Sequence, residues 1–221
     1  MHEDKLTAGA QGVPPEAAPA KAVPPEDAPA KVATPEAVTL DRPVFLTGFM
    51  GCGKTTLGRA VSALCGIEFV DLDEAVEQRA GLTVSEIFAR HGEAAFRQLE
   101  RDELQRQSRR PVLIACGGGT PCQPGMAGLM GTLGTVVWLR ADTDVLVRRL
   151  LEFGATRPLV AGKDEAQLRD FVAETLARRT PFYARCGHIF DSSRLETPEQ
   201  VDSSAREFIR RFLQNNPRKD L

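Results

Sequence analysis

The chain has 221 residues and a formal net charge of −2, and this near-neutral balance excludes the clearly basic surface that is typical of nucleic-acid-binding domains. No run of about 18 apolar residues occurs, so the sequence predicts no membrane-spanning helix. All the aromatic residues and all the cysteines follow position 41, which indicates one domain of roughly 180 residues with a sizeable core.

The first 41 residues differ in composition from the rest. They contain seven of the 15 prolines, and three Lys against seven Asp or Glu give them a net charge of −4. Val13–Val38 repeats with a ten-residue period, as VPPEAAPAKA, VPPEDAPAKV and a partial ATPEAV. Such a composition has little to bury, and no continuous apolar run resembles a secretory signal. We therefore expect a disordered leader over 1–41 and a folded domain over 42–221.

Short apolar segments then alternate with helical ones. The predicted strands are Val44–Thr47, Glu68–Val70, Val112–Cys116, Thr135–Leu139 and His188–Asp191. The predicted helices are Lys54 to about Cys65, Asp73–Arg79, Val84–Gln107, Asp144–Leu151, Ala166–Arg178 and Pro198–Leu213. Along Leu82–Leu104 the expected buried positions are Leu82, Ile87, Phe88, Phe96, Leu99 and Leu104. This alternation predicts an α/β fold with a mostly parallel sheet, whose ligands bind beyond the carboxyl ends of the strands.

Gly48–Thr55, directly after the first predicted strand, matches the phosphate-loop pattern G-x-x-x-x-G-K-[ST]. Glycines let the backbone turn tightly and direct its N–H groups at phosphate oxygens, and the following helix adds its positive end. Lys54 is expected to reach the β- and γ-phosphates, and the Thr55 hydroxyl to bind Mg²⁺. Phosphate binding is the strongest functional prediction from the residues themselves.

Two carboxylates, Asp71 and Asp73, follow the second predicted strand. One can serve Mg²⁺, through water or directly, and the other an acceptor hydroxyl. The alternative is that Asp73 caps the helix that it opens. The residues alone leave both interpretations open.

Three arginines and a glycine run complete the candidate site. Arg97 can grip a carboxylate, or it can pair on the surface with Glu93 or another nearby carboxylate. Gly117–Gly119 permits close approach of a ligand to the backbone, or is a loose turn. Arg157 suits a lid that closes over a transferring phosphate, and Arg179 adds a further cation; either can also be a solvated surface arginine.

The five cysteines are odd in number and contain no C-x-x-C spacing. They are Cys52, Cys65, Cys116, Cys122 and Cys186. This pattern is neither a disulfide framework nor a zinc site, and it favours a reducing, cytoplasmic location. Each cysteine is expected to be a small buried hydrophobe.

The order of these motifs resembles that of the shikimate kinases. The matching elements are G-F-M-G-C-G-K-T-T, D-L-D, F-R-x-x-E, G-G-G, R-P-L and R-x-P-x-Y, over roughly Val44–Tyr183. The resemblance implies a three-layer α/β/α fold of the nucleoside monophosphate kinase type, with a five-stranded parallel sheet and a lid. It implies transfer of the ATP γ-phosphate to the 3-hydroxyl of shikimate, in the route to chorismate and the aromatic amino acids.

The resemblance also implies a role for each matching residue. Lys54, Asp73 and Arg157 would be catalytic, with Asp73 holding the substrate hydroxyls and accepting the proton. The ATP-binding residues would be Gly51, Cys52, Gly53, Lys54, Thr55, Thr56, Arg149 and Arg157. The shikimate-binding residues would be Asp73, Arg97, Gly117, Gly118, Gly119 and Arg179, with both arginines on the carboxylate. Thr55 and Asp71 would serve one Mg²⁺ ion bound with ATP, and Arg149 would stack on adenine.

Two other functions share part of this pattern. A kinase for gluconate or a nucleoside monophosphate would have the same loop and lid, and a regulatory protein without turnover would keep the loop. The two arginines and the D-L-D motif favour a carboxylated polyol as acceptor. We expect a monomer that binds ATP and shikimate, and neither nucleic acid nor membrane.

Overall fold

The computed structural model describes residues 38–154 and 159–214. All of them belong to the unit Pro35–Leu221, one of two into which the chain divides. Most of the predicted leader and Arg157 of the predicted lid lie outside the described residues.

Strands and helices alternate along the described chain. The strands are β1 Val44–Thr47, β2 Phe69–Asp71, β3 Leu113–Ala115, β4 Thr135–Arg140 and β5 His188–Asp191. The α-helices are α1 Lys54–Cys65, α2 Leu72–Ala80, α3 Val84–Gln107, α4 Met126–Leu133, α5 Thr143–Phe153, α6 Glu165–Tyr183 and α7 Pro198–Phe208. Thr120–Cys122 and Ala184–Cys186 are 3₁₀ turns, and α7 continues into a π-helical turn at Ile209–Gln214.

The five strands form one parallel sheet in the order β2-β3-β1-β4-β5. Phe45 of the central strand β1 is in register with Ile114 of β3 on one side and with Val136 of β4 on the other. The chain moves to opposite sides of β1 to form β2 and β4, so the carboxyl end of β1 is the crevice where such sheets bind ligands.

Helices cover both faces of the sheet because alternate side chains of a strand point to opposite faces. Val44 and Leu46 of β1 pack in one core cluster with buried residues of α1, α5, α6 and α7. Phe45, between them in sequence, packs in a second cluster with Leu104 of α3 and Met130 of α4. The result is the three-layer α/β/α architecture, with the five-stranded parallel sheet, that the sequence predicts.

Side-chain caps fix where two of the helices begin. The Thr83 hydroxyl accepts from the Glu86 amide at 3.2 Å, and the Glu86 carboxylate accepts from the Thr83 amide at 2.9 Å. Asp164 and Gln167 form the same reciprocal pair before α6. Both pairs satisfy amides that lack a partner inside the helix.

A break at Gly92 divides α3, which the sequence predicts as one continuous helix. Its φ of 78° and ψ of 173° are not helical, although the ends of α3 agree with the prediction. This backbone conformation is essentially restricted to glycine. Arg97 lies five residues beyond the break, so the break sets the direction of the helical segment that carries it.

Several local predictions differ from the structure. Ile87, Phe96 and Leu104 are buried as expected, but the prediction of a buried Phe88 is wrong, since it is 38% exposed and lies against the Phe96 ring with centroids 4.8 Å apart. The second strand is shifted by one residue, to Phe69–Asp71. The sequence interpretation also missed α4, whose two internal glycines give it a low helix propensity.

Among residues 38–154 and 159–214, no helix is long and apolar enough to cross a membrane. All five cysteines are free thiols, and four of them are buried while Cys122 is partly buried. Their burial agrees with the prediction that they serve as small apolar residues.

Candidate active site

The loop between β1 and α1 is shaped to receive an anion. Gly48, Gly51 and Gly53 all have positive φ angles, and a side chain on Gly53 would collide with Leu195. Gly53 caps α1 with no side-chain hydrogen bond, so the first amides of the helix have no side-chain cap. Uncapped amides at a helix N-terminus attract phosphate oxygens.

The Lys54 ammonium lies over this loop. Its Nζ donates to the carbonyl oxygens of Gly48 and Phe49, each at 3.0 Å. Cys52 is fully buried, and its amide donates to the Phe49 carbonyl at 3.2 Å, so it closes the turn of the loop. The loop therefore holds its cation in place through its own backbone.

Thr55 and Asp71 place two oxygen atoms at the mouth of the loop. The Thr55 hydroxyl donates to Asp71 Oδ2 at 2.8 Å, and Asp71 Oδ1 accepts from the Asp73 amide at 3.2 Å. Asp71, rather than Asp73, is thus the N-cap of α2, which leaves the Asp73 carboxylate available for other work. A hydroxyl and a carboxylate suit Mg²⁺, which takes few protein ligands and completes its shell with phosphate oxygens and water.

Burial raises the pKa of Asp73 to about 6, and the negative charges of Glu100 and Asp71 add to the increase, while Lys54 and Arg97 oppose it. A carboxylate with a pKa near 6 binds protons more strongly than a solvated one yet is still ionised at neutral pH. These are the properties of a general base matched to neutral pH.

The glycine run after β3 lies against two guanidinium groups. A Cβ atom built on Gly118 would lie 3.0 Å from Arg179 Nη1, and one built on Gly119 would lie 3.0 Å from Arg97 Nη2. The structure therefore brings together two arginines that are 82 positions apart in the numbering of the chain. Two adjacent guanidinium groups are a favourable receptor for a carboxylate.

Different elements hold the two arginines. Arg97 of α3 donates from Nη1 to Glu100 at 2.9 Å and from Nε and Nη2 to Glu93 at 3.2 and 3.1 Å. The Arg179 guanidinium of α6 lies 6.0 Å from the centre of the Phe49 ring, beside the phosphate loop. One helical turn further along α6, the Tyr183 hydroxyl donates to the Gly118 carbonyl at 2.6 Å and so fixes the glycine run.

Arg149 of α5 connects the phosphate loop to the segment after β5. Its Nη1 donates to the carbonyls of Gly51 at 3.2 Å and Ser192 at 3.1 Å, and its Nη2 donates to Ser193 at 3.2 Å. The carboxylate of Glu196 pairs with the same guanidinium at 3.1 Å. The side chain is thus held at the edge of the loop, where the resemblance implies the adenine ring.

A cleft of about 850 Å³ runs along the carboxyl ends of the strands. Of the predicted residues, Gly51, Gly53, Lys54, Thr55, Thr56, Asp71, Asp73, Gly117, Gly118 and Arg149 line it. Cys52, Arg97, Gly119 and Arg179 do not line it, and Arg157 lies outside the described residues. The structure therefore brings the residues that are predicted to bind nucleotide, metal and acceptor hydroxyls to one cavity. The two arginines of the predicted carboxylate clamp lie beside it, at the glycine run.

Sequence reasoning missed four residues that support this site. Glu100 accepts a hydrogen bond from Arg97, and Thr120 and Gln123 donate to Glu100. Tyr183 donates to the carbonyl of Gly118 in the glycine run. Glu100 and Tyr183 stand within recognisable motifs, three and four positions after the arginines they accompany, and that helical spacing was the available signal. Nothing in the sequence indicates Thr120 and Gln123.

The sheet is parallel, and a glycine loop with a lysine over it follows the central strand. A hydroxyl group lies beside a carboxylate at the mouth of that loop. Together these features define a phosphate-loop phosphotransferase. Residues 50–211 match the family model described as shikimate kinase. The chain belongs to the shikimate kinase family.

Individual relatives agree with this assignment. The chain is 42% identical over 164 residues to a shikimate kinase of Bacteroides thetaiotaomicron, covering 74% of this chain and 94% of the relative. A crystal structure of shikimate kinase from the same organism superposes with a TM-score of 0.73 at 40% identity, covering 76% of this chain and 97% of the other.

A second solved structure is the shikimate kinase from Acinetobacter baumannii in complex with shikimate. It superposes with a TM-score of 0.64 at 29% identity and covers 76% of this chain and 91% of the other. The family assignment makes the chain an ATP-dependent phosphotransferase that acts on shikimate in aromatic amino acid biosynthesis. It thereby favours shikimate as the acceptor over gluconate or a nucleoside monophosphate, and catalysis over a role without turnover.

Proposed function

We propose that the chain transfers the γ-phosphoryl group of ATP to the 3-hydroxyl of shikimate with the residues described above in distinct roles. The observation that carries the proposal is the pair of guanidinium groups, Arg97 and Arg179, against adjacent glycines beside the phosphate loop. A neutral acceptor gives no reason for two arginines at this position, whereas an anionic group such as the carboxylate of shikimate does.

On the acceptor side, Arg97 and Arg179 grip the carboxylate of shikimate, and the backbone of Gly117–Gly119 contacts its ring hydroxyls. Asp73 then faces the 3-hydroxyl. As the new bond between the 3-oxygen and phosphorus forms, the bond from phosphorus to the β–γ bridging oxygen breaks and ADP leaves. The hydroxyl proton passes to the Asp73 carboxylate, whose pKa of about 6 suits that transfer.

On the nucleotide side, the amides of Gly51–Gly53 and of the first turn of α1 receive phosphate oxygens, with Thr56 at the edge of the cleft. Lys54 neutralises charge on the β- and γ-phosphates, and Arg149 stacks on adenine. Arg157 approaches the phosphates from the lid, a role supported by the family resemblance. Placing these charges before reaction is the main catalytic contribution in phosphoryl transfer.

One divalent ion accompanies ATP in such kinases, and we propose that it is Mg²⁺. Thr55 and Asp71, whose oxygens are 2.8 Å apart, would hold it, Asp71 through water. When bound, the ion supplies charge neutralisation at the phosphates. Mg²⁺ takes few protein ligands and completes its shell with phosphate oxygens and water, so two protein oxygens suffice when ATP is bound.

We further propose that the enzyme is a cytoplasmic monomer in which residues 42–221 carry the activity and the leader, residues 1–41, is dispensable for catalysis. The odd number of cysteines and the lack of a C-x-x-C spacing support a reducing compartment.

The acceptor is tested by measuring ATP consumption with shikimate, gluconate and nucleoside monophosphates in parallel. We expect turnover with shikimate and background rates with the others. Faster turnover with gluconate or a nucleotide would overturn the acceptor assignment. No turnover with any of them, together with measurable ATP binding, would instead indicate a regulatory protein.

A further inference from the structure

Glu100 is a fully buried carboxylate next to the site. A buried charge is costly unless hydrogen-bond donors compensate it. Three donors do so here, from Arg97, Thr120 and Gln123. Arg97 is part of the proposed clamp for the acceptor carboxylate. The donors Thr120 and Gln123 therefore determine how firmly Glu100, the partner of Arg97, is held.

Thr120 and Gln123 both follow the glycine run. The Thr120 hydroxyl donates to Glu100 Oε1, and Gln123 Nε2 donates to Glu100 Oε2 at 2.5 Å. The backbone of this segment is fixed as well, because the Thr120 amide donates to Gly117 at 3.1 Å and the Gln123 amide donates to Thr120 at 3.3 Å. A rigid turn therefore presents both donors to one carboxylate.

The two carboxylates that contact Arg97 are not equivalent. The Glu93 side chain is 68% exposed, and an exposed pair of this kind has little hold on geometry. The Glu100 side chain is fully buried and cannot turn away. The direction of the Arg97 guanidinium is therefore set by Glu100, whose own orientation is set by Thr120 and Gln123.

We propose that Thr120 and Gln123 are positioning residues for the acceptor carboxylate: through Glu100 they hold the Arg97 guanidinium against Gly119. The contacts close a ring from Gly119 through the following turn to Glu100 and Arg97, and back to Gly119. This inference rests on the proposed role of Arg97. Because the ring involves no nucleotide residue, its loss weakens shikimate binding and leaves ATP binding unchanged.

The test uses steady-state kinetics of the full chain with ATP and shikimate. Thr120→Val keeps the shape of the side chain and removes its donor, whereas Thr120→Ser keeps the donor. Gln123→Met removes the second donor. Because Gln123 is only partly buried, this variant tests the inference even if Thr120→Val, at a buried position, does not fold. Gln98→Met is the matched control. It makes the same substitution on α3, the helix that carries Arg97 and Glu100, and it removes only an exposed hydrogen bond to Asp102.

We expect Thr120→Val and Gln123→Met each to raise the KM for shikimate by about ten-fold, the usual scale for losing a hydrogen bond to a charged group, with the KM for ATP within about two-fold. Thr120→Ser and Gln98→Met should both have the wild-type KM for shikimate. An unchanged shikimate KM in folded Gln123→Met, or equal increases for both substrates, would overturn the inference.

Arg97→Ala is the reference variant that separates this inference from the proposed function. A large rise in shikimate KM for Arg97→Ala with no rise for Gln123→Met shows that the clamp exists and that its positioning does not depend on this turn. No rise for Arg97→Ala itself contradicts the clamp, and with it the proposed acceptor geometry.

Discussion

Asp73 and Glu100 are two carboxylates that both approach Gly117, and their placement explains why each differs from a surface acid. A Cβ atom on Gly117 would lie 2.8 Å from Glu100 Oε1 and 3.2 Å from Asp73 Oδ1, so glycine is what allows both to approach. Glu100 has three donors and Asp73 has two unfavourable negative neighbours. Glu100 is thus held in place by its donors, whereas the raised pKa of Asp73 leaves that carboxylate able to take a proton.

Replacing Asp73 tests its role as a base. We expect Asp73→Asn to lower kcat by roughly 10² to 10⁴, because a positioned acid–base group contributes on that scale. Initial rates at saturating ATP and shikimate measure it. Glu74→Gln is the control, since Glu74 is an exposed neighbour on α2 that pairs with Arg59. An unchanged kcat in Asp73→Asn would mean that Asp73 only binds the acceptor.

The same variant has an expected effect on stability that depends on pH. The folded protein binds the Asp73 proton more tightly than the unfolded chain, because the pKa rises from 3.8 to about 6. Ionised Asp73 therefore destabilises the folded state fully above pH 6, less between 6 and 3.8, and not at all below that. Asp73→Asn removes this cost, which by the shift is about 3 kcal/mol at pH 8.

Urea unfolding of the wild type and of Asp73→Asn at pH 5 and pH 8 measures this linkage. The variant should be the more stable protein, with a larger difference at pH 8 than at pH 5. A difference that is equal at both pH values would show that Asp73 has an ordinary pKa in the folded protein.

At the scale of elements, α3 depends on a backbone conformation that its hydrophobic pattern does not reveal. Leu104 lies beyond the Gly92 break and Ile87 before it, and both are buried, so the helical period continues across the break. Apolar spacing thus predicts the ends of α3 and not its kink. The break has a function in this architecture, because it aims the segment with Arg97 and Glu100 at the glycine run.

Glycine-to-alanine substitutions distinguish the break from an ordinary helix position. A Cβ atom has open space at both Gly92 and Gly128, so only backbone conformation differs between the two. We expect Gly92→Ala to lower the free energy of unfolding by about 1–3 kcal/mol, since φ is 78° there. Gly128→Ala within α4 should raise it by about 0.5–1 kcal/mol. Chemical denaturation of both variants measures these changes in unfolding free energy. Changes of the same sign and size in the two variants would contradict a backbone conformation at Gly92 that only glycine adopts.

At the scale of the whole molecule, the folded part begins slightly before the predicted boundary at residue 42. Val38 and Leu40 are partly buried and pack against the core cluster formed by β1, β4 and the helices on that face. Their burial indicates that the last residues of the predicted leader stabilise the domain, while the proline repeat before them offers little apolar surface.

Two truncations locate this boundary. A chain that begins at Val38 should keep wild-type activity and stability. One that begins at Arg42 should keep its catalytic residues and lose about 1–2 kcal/mol of unfolding free energy, because two partly buried apolar side chains are removed. Thermal melts and shikimate kinetics of both proteins measure this. Loss of activity in the chain that begins at Val38 would show that the leader is needed for catalysis.

The amino-acid sequence by itself determined the class of fold and the phosphate loop, and it predicted the candidate residues of the site. Local patterns sufficed for these, because strand and helix periods and the glycine spacing around Lys54 are set by residues close together in the sequence. The D-L-D, F-R-x-x-E and R-x-P-x-Y motifs are also short, and each can be recognised from a few consecutive residues. The same local signals placed Asp73 and Arg97 on the correct helices. They left open whether Asp73 serves the acceptor or caps its helix, and whether Arg97 binds a carboxylate of the acceptor or forms a surface ion pair.

The tertiary structure decided between those alternatives. It made Asp71 the helix cap, placed the partly buried Asp73 near Glu100, and placed Arg97 and Arg179 beside adjacent glycines. It also assigned Thr120 and Gln123 to the partner of Arg97, across about 20 positions of sequence. Burial, charge and approach between distant segments are properties of the packed molecule, so no local pattern could supply them.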